Sequence, residues 1–132
     1  MATKNQGNGK VAVFGCTEIT GGISTVQIYR DGKHIEDVPF HGKKEIEIDQ
    51  RCELTLKAPM HTETCMVSPG DWVQLAQMGA FIKKLKAYIT NEKDYEFTLR
   101  QIKAEKRKDA VQAFSGILLL FLVLMLIAYL TI

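Results

Sequence analysis

Polar and apolar residues alternate along most of the chain up to residue 90, and the pattern then becomes helical and finally continuously apolar. Alternation with a period of two is typical of strands that bury one face. It is clearest where Val26 and Ile28 lie on one face and Gln27 and Tyr29 on the other. Alternating segments and short β-branched runs predict strands at residues 10–14, 25–29, 33–38, 45–49, 52–57, 62–67 and 72–77. Short strands at a spacing of about 8–12 residues indicate a β-sandwich or barrel over residues 10–90.

Turn residues predict how these strands connect. Asp31 and Gly32 tolerate the positive φ angles that a type I′ hairpin turn requires. The return strand is then expected to place Ile35 toward the core and to end at Pro39, which cannot continue the ladder. Residues 68–71 read Ser-Pro-Gly-Asp and predict a second turn. The four alternating segments at residues 25–29, 33–38, 45–49 and 52–57 predict a meander, in which each strand pairs with the next along the chain.

Two segments of the predicted sandwich are less regular. Residues 16–24 are rich in Thr and Gly and predict a loop. Residues 80–90 are compatible with helical spacing, but Leu85, Ala87 and Ile89 also alternate as they would in a strand. The β-branched and aromatic content of this segment favours the strand.

A helix is predicted to follow the sandwich. Asn91, with Asp94 three residues later, is typical of a helix start. Tyr95, Leu99 and Ile102 then recur at helical spacing, which predicts a basic juxtamembrane helix over residues 91–109. The alternative is a final hairpin strand at residues 95–101.

The apolar run at residues 110–132 contains no charged side chain. At ~1.5 Å per residue a helix of this length extends roughly 34 Å, enough to cross a hydrocarbon core of about 30 Å. The first nine residues are polar and predict a flexible N-terminus without the apolar core of a signal peptide. We therefore expect a mainly β protein: a small antiparallel β-sandwich, then a helix that continues into one C-terminal transmembrane helix, giving a tail-anchored, single-pass topology.

Basic residues predict the orientation of this span. Lys103, Lys106, Arg107 and Lys108 precede it directly and are candidates for contact with the membrane surface. The positive-inside rule then places the N-terminal domain in the cytoplasm. Residues 1–82 carry eight basic and ten acidic side chains, a net charge of −2, whereas residues 83–109 carry nine and five, a net charge of +4. No basic–aromatic interleaving accompanies these cations, so nucleic acid is not an expected partner.

Residues 26–58 resemble the central strands of small bacterial β-sandwich domains of the PEGA and carboxypeptidase-regulatory type. Asp31-Gly32-Lys33 matches the hairpin of those domains, and Leu54-Thr55-Leu56 matches the strand that closes the motif. Gln50-Arg51 stands where those domains have Pro-Gly, and the Pro-Glu-Gly-Ala motif itself is absent. The resemblance implies a non-catalytic spacer or contact module of the kind often found beside membrane spans.

The side chains that could carry chemistry do not form a recognisable motif. The three cysteines have no pairwise spacing of a disulfide or zinc framework, and are expected to be reduced and mostly buried: Cys16, Cys52 and Cys65. His61 and Cys65 lie four residues apart without further ligands, so we expect no metal site and no cofactor. Glu45, Glu47 and Asp49 share one strand face and are expected to be solvated. Trp72 is either a sandwich-edge aromatic or a candidate contact for a partner.

Together these patterns indicate a function without catalysis. The expected protein is a membrane protein whose cytoplasmic β-sandwich binds a protein partner, or a second copy of itself, to assemble a complex. The alternative is a module that binds lipid headgroups or a small ligand through the basic region at residues 83–108. In either case the lipid bilayer is an expected partner.

Overall fold

The structure is a computed structural model that describes residues 9–16, 25–39, 41–59, 61–79 and 84–132. Within these residues the chain forms eight strands and one helix. Their bounds are β1 (Lys10–Phe14), β2 (Thr25–Arg30), β3 (Lys33–Pro39), β4 (Lys43–Glu47), β5 (Cys52–Ala58), β6 (His61–Val67), β7 (Trp72–Met78), β8 (Lys84–Thr90) and α1 (Tyr95–Thr131).

The strands form two four-stranded sheets that pack face to face. One sheet, here sheet A, has the order β4-β1-β7-β8, and the other, sheet B, has the order β3-β2-β5-β6. Strands β1 and β7 are parallel, and the remaining pairs are antiparallel. The predicted mainly β fold followed by a C-terminal helix is confirmed. Alternate residues of both sheets, with Cys16 after β1 and Ile48 after β4, supply the core: Val11, Val13, Cys16, Val26, Ile28, Val38, Ile46, Ile48, Leu54, Leu56, Val67, Val73, Leu75 and Leu85.

Both predicted turns are confirmed. Asp31 and Gly32 have φ angles of 53° and 78°, the pair of positive values that a type I′ turn requires. Gly70 has a φ of 92°, and the Asp71 carboxylate accepts a hydrogen bond of 2.8 Å from the backbone N–H of Ser68. The sequence therefore specifies these two chain reversals locally.

The predicted meander is wrong, because β4 does not pair with its sequence neighbours. It pairs with β1 in sheet A, whereas β3 and β5 both lie in sheet B. The chain changes sheets at a turn in which Gly42 N–H donates to the Pro39 carbonyl at 2.8 Å. This crossing packs closely on β1, since a Cβ atom on Gly15 would lie 2.2 Å from the Pro39 oxygen. Ile46 and Ile48 are buried as predicted, but alternation indicates only which face is buried and not which strand is the partner.

The prediction that Ile35 faces the core is also wrong. Ile28 pairs with Glu36 and Tyr29 pairs with His34, so Ile35 is the extra residue of a β-bulge. Its side chain is 37% exposed, whereas Val38 is 1% exposed and fills the core position of β3. A bulge reverses the alternation, which the sequence pattern alone does not reveal.

In the C-terminal part of the chain, the predicted strand before residue 91 and the helix that follows it are both present. Strand β8 confirms the strand assignment over residues 84–90; residues 80–83 and the predicted loop at 17–24 lie outside the described residues. Helix α1 runs without a break from Tyr95 to Thr131, so the alternative hairpin strand is wrong. The Asn91 side chain accepts a hydrogen bond of 2.9 Å from the backbone N–H of Asp94 just before the helix begins.

Among the described residues, α1 is the one helix long and apolar enough to cross a membrane. Its large apolar side chains from Val111 onward are exposed on all sides, and even Val123 and Leu118 are 44% and 47% exposed. Such a surface is costly in water and favourable in hydrocarbon. The protein therefore carries a C-terminal segment consistent with a single-pass membrane anchor.

Candidate functional site at the helix–sheet interface

The first part of α1 lies on the outer face of sheet A. Side-chain hydrogen bonds connect it to β7, β8 and the residue after β7. They include Tyr95 Oη to Gln74 Oε1 at 2.6 Å, Thr98 Oγ1 to Thr90 Oγ1 at 2.8 Å, Tyr88 Oη to Glu105 Oε2 at 2.7 Å, and Gly79 N to Asp109 Oδ2 at 2.8 Å. The contacts advance from Gln74 to Gly79 as α1 advances from Tyr95 to Asp109. The helix therefore runs parallel to β7 and leaves the sheet beyond its C-terminal end.

Apolar packing supports these hydrogen bonds. Ile102 is 5% exposed and forms a small second core with Ala76 and Met78, against which Tyr88 packs. Burial of a side chain of this size is worth about 1.5–3 kcal/mol. Both faces of β7 are consequently buried, one in the sandwich core and the other under the helix.

Gln74 is a central residue of this interface. Its side chain is 2% exposed; its Nε2 donates to the carbonyls of Gly15 at 3.1 Å and Leu75 at 2.9 Å, and its Oε1 accepts the Tyr95 hydroxyl. The amide thus connects β1, β7 and α1. Sequence reasoning missed it, because a Gln between Val73 and Leu75 is typical of a solvent-facing position. The only signal was the helical spacing of Tyr95 and Ile102, which indicated that another surface had to cover that face.

Trp72 lies in an aromatic cluster at the start of the interface. Its ring centroid is 5.0 Å from that of Phe14 and 5.1 Å from that of Tyr95, and the Phe14 and Tyr95 centroids are 4.9 Å apart. The Lys43 ammonium lies 5.5 Å and 5.7 Å from the Phe14 and Trp72 centroids. Trp72 is half-buried, and contact with a partner stays a prediction for its exposed part.

The direction of α1 distinguishes the two ends of the sandwich. At the end where α1 leaves the sheet, here the exit end, β1, β3, β5 and β7 terminate and the other four strands begin. The opposite end, here the far end, holds the two confirmed turns and the connection from β8 to α1. The register therefore assigns every described connection to one end or the other.

The two ends carry opposite net charge. At the exit end, residues 14–16, 36–39, 41–44, 57–59, 61–63, 78–79, 84–86 and 103–109 contain nine Lys or Arg and five carboxylates. At the far end, residues 9–10, 30–33, 47–53, 67–72 and 90–96 contain five Lys or Arg and eight carboxylates. The predicted membrane-surface residues, Lys103, Lys106, Arg107 and Lys108, all lie at the exit end.

A groove opens at the far end, between β8 and the start of α1. Its volume is about 470 Å³. Ile89 and Phe97 are 42% and 61% exposed there, and the groove carries the carboxylates of Asp71 and Asp94. The remaining lining residues are Thr90, Asn91, Thr98 and Gln101. Exposed large apolar side chains beside acidic groups distinguish this groove from the polar turns around it.

The thiols occupy apolar surroundings. Cys16 is buried, Cys52 and Cys65 are half-buried against the core, and all three are free. Burial raises the pKa of the Cys65 thiol to about 11, and nearby carboxylates add to the shift. Burial also raises the pKa of Cys16, although the Lys106 ammonium acts in the opposite direction. The thiols of Cys16 and Cys65 are therefore protonated at neutral pH and are poor nucleophiles.

No group of three metal-binding side chains comes together in the described part of the chain. His61 and Cys65, the pair with suggestive spacing, lie on one strand, β6. Four residues along a strand extend roughly 13 Å, too far for two ligands of one ion.

Comparison with protein-family models, curated protein sequences and solved structures found no match to this chain. The resemblance of residues 26–58 to PEGA and carboxypeptidase-regulatory domains therefore stays a prediction.

Proposed function

We propose that this protein is a single-pass membrane protein whose cytoplasmic β-sandwich is a non-catalytic protein-interaction module. The observation that carries the proposal is the continuity of α1, which is hydrogen-bonded to sheet A from Tyr95 to Asp109 and apolar from Ala110 onward. A module connected in this way is presented to its partner at one fixed orientation relative to the span.

The charge next to the span supports the cytoplasmic orientation. Lys103, Arg107 and Lys108 are exposed within the last two turns before residue 110. Cations at this position favour the cytoplasmic side during insertion. A glycosylation acceptor introduced into the far-end turn at residues 31–32 of the full chain is the direct test: in a eukaryotic membrane it is expected to stay unmodified, and modification would refute the orientation.

The far-end groove is the surface that we assign to the partner. Ile89 and Phe97 offer apolar contact area, and the ionisable groups that line the groove are the carboxylates of Asp71 and Asp94. This combination is complementary to a protein segment with apolar side chains flanked by Lys or Arg. The groove also faces away from the exit end, so a partner in the cytoplasm can reach it while the span is in the membrane.

Site-specific photocrosslinking in intact membranes tests this assignment. A photoreactive residue at position 97 is expected to yield one defined protein adduct, crosslinked through a basic, apolar segment, and Asp94→Lys, a change at an exposed carboxylate of the groove, is expected to abolish the adduct. Position 55, on the outer face of sheet B, is the matched control. The same adducts from both positions, or adducts at position 97 that Asp94→Lys leaves unchanged, would contradict the assignment.

A second function, binding of lipid headgroups, is favoured by the net positive charge of the exit end. It concerns a different surface from the groove and is compatible with the first function.

A further inference from the structure

We propose that β8 and the last turns of α1 before the span form one cationic surface that contacts anionic phospholipid headgroups, so that the sandwich stands directly on the bilayer. The inference rests on the membrane anchoring proposed above. It extends that function by giving the sandwich its own contact with the lipid.

The first observation is the height at which β7 ends. Gly79, the residue after β7, donates its backbone N–H to Asp109 at 2.8 Å, and Asp109 is the last charged residue before the apolar segment. Lys84, the first residue of β8, pairs with Met78. The end of β7 and the start of β8 therefore lie level with the point at which α1 becomes apolar, which is the level of the headgroups when the span is in a membrane.

The second observation is the distribution of charge around α1. With about 100° of rotation per residue, Thr98, Ile102, Glu105 and Asp109 all lie on the side of the helix that packs on sheet A. The two carboxylates of this set accept hydrogen bonds from Tyr88 and Gly79. The acidic groups of the juxtamembrane turns thus face the sandwich.

The exposed cations of the same turns lie on the sides of α1 that do not pack on sheet A. Lys103, Arg107 and Lys108 occupy the remaining sides of α1 and are exposed, and Lys84 is exposed on β8. Lys84 is far from the helix cluster in sequence, and the contact between Gly79 and Asp109 brings it to the same level. The surface available to lipid at this level is consequently more basic than the sequence of either segment indicates.

The third observation is the opposite charge of the far end, where carboxylates outnumber cations. An anionic leaflet attracts the exit end and repels the far end, so the same field that binds the cations also orients the sandwich. A bilayer surface is the partner that fits, since a separate protein at this level would compete for space with the headgroups around the span.

Hydrogen exchange of the full chain in nanodiscs tests the proposal. The discs contain phosphatidylcholine alone or phosphatidylcholine with phosphatidylserine. The peptide at the start of β8 that contains Lys84 and Lys86 is expected to exchange more slowly in the anionic discs, and added salt is expected to remove the difference. The far-end peptide around Asp31 and Gly32 is expected to exchange equally in both.

Charge variants give the matched comparison. Lys84→Gln with Lys108→Gln removes two cations at the exit end and is expected to reduce the lipid-dependent protection by on the order of fivefold for each cation. Lys33→Gln with Lys93→Gln removes the same charge at the far end and is expected to leave the protection unchanged. Equal exchange in the two kinds of disc, or equal effects of the two double variants, would overturn the proposal. Release of the wild-type chain from both kinds of disc would instead overturn the anchoring itself, and the lipid contact with it.

Discussion

The contact between α1 and sheet A can be tested by truncating Ile102, the buried aliphatic side chain of the helix in this contact. Ile102 is 5% exposed and packs on Ala76 and Met78. Ile→Ala at a buried site costs about 2–5 kcal/mol, and the position of Ile102 at the edge of the sandwich, with the flexible Met78 beside it, favours the lower limit. We therefore expect Ile102→Ala to lower the free energy of unfolding by about 2 kcal/mol.

Thermal unfolding of the full chain in detergent measures this loss. Trp72 is the single tryptophan, and its contact with Tyr95 makes its fluorescence sensitive to release of the helix. For a domain of this size a loss of 2 kcal/mol lowers the Tm by roughly 8–16 °C. Phe97→Ala is the matched control, because Phe97 lies on the same helix and is 61% exposed. If Ile102→Ala and Phe97→Ala had the same small effect on the Tm, the packing of α1 on sheet A would be refuted.

Three further predictions concern single residues. Gly32→Val is expected to lower the free energy of unfolding by about 1–2 kcal/mol in chemical denaturation, because φ at Gly32 is 78°; no loss would contradict the type I′ turn. Tyr88→Phe is expected to lower it by about 1 kcal/mol through loss of the hydrogen bond to Glu105, and combination with Glu105→Gln should cost less than the sum of the two single changes. The Cys65 thiol is expected to react slowly with iodoacetamide at neutral pH and faster as the pH approaches its pKa of about 11. Because this pKa lies above the ordinary value of 9.0, the thiol's contribution to stability is complete below pH 9 and is lost between pH 9 and 11; alkylation as fast as that of a free thiol would refute the burial.

Much of the fold follows from local patterns in the sequence. Val26, Ile28, Leu54 and Leu56 lie in the core because alternation fixes which side of a strand is apolar. The hairpin at Asp31 was predictable because few residue pairs tolerate two consecutive positive φ angles. These features depend on neighbouring residues, and neighbouring residues are what a sequence pattern records.

The features that the sequence pattern did not predict depend on contacts between residues that are distant in the sequence. The partner of β4 depends on how the chain turns at Gly42 and packs on Gly15, and the same alternating pattern would fit either sheet. Burial of Gln74 depends on a helix that begins more than twenty residues later, so its polarity suggested a solvent-facing position. The charge difference between the two ends likewise requires the strand register, because each end is assembled from short, separate segments.

Because α1 is uninterrupted, a tilt of its membrane-spanning part also moves the sandwich. Between Asp109 and Tyr95 the helix extends about 21 Å along the sheet, and both residues are hydrogen-bonded to it. A tilt of about 20°, such as a thinner membrane imposes on a long span, would displace the Tyr95 end sideways by roughly 7 Å. A change in bilayer thickness would therefore change the position of the groove at Ile89 and Phe97 relative to a neighbouring protein in the same membrane.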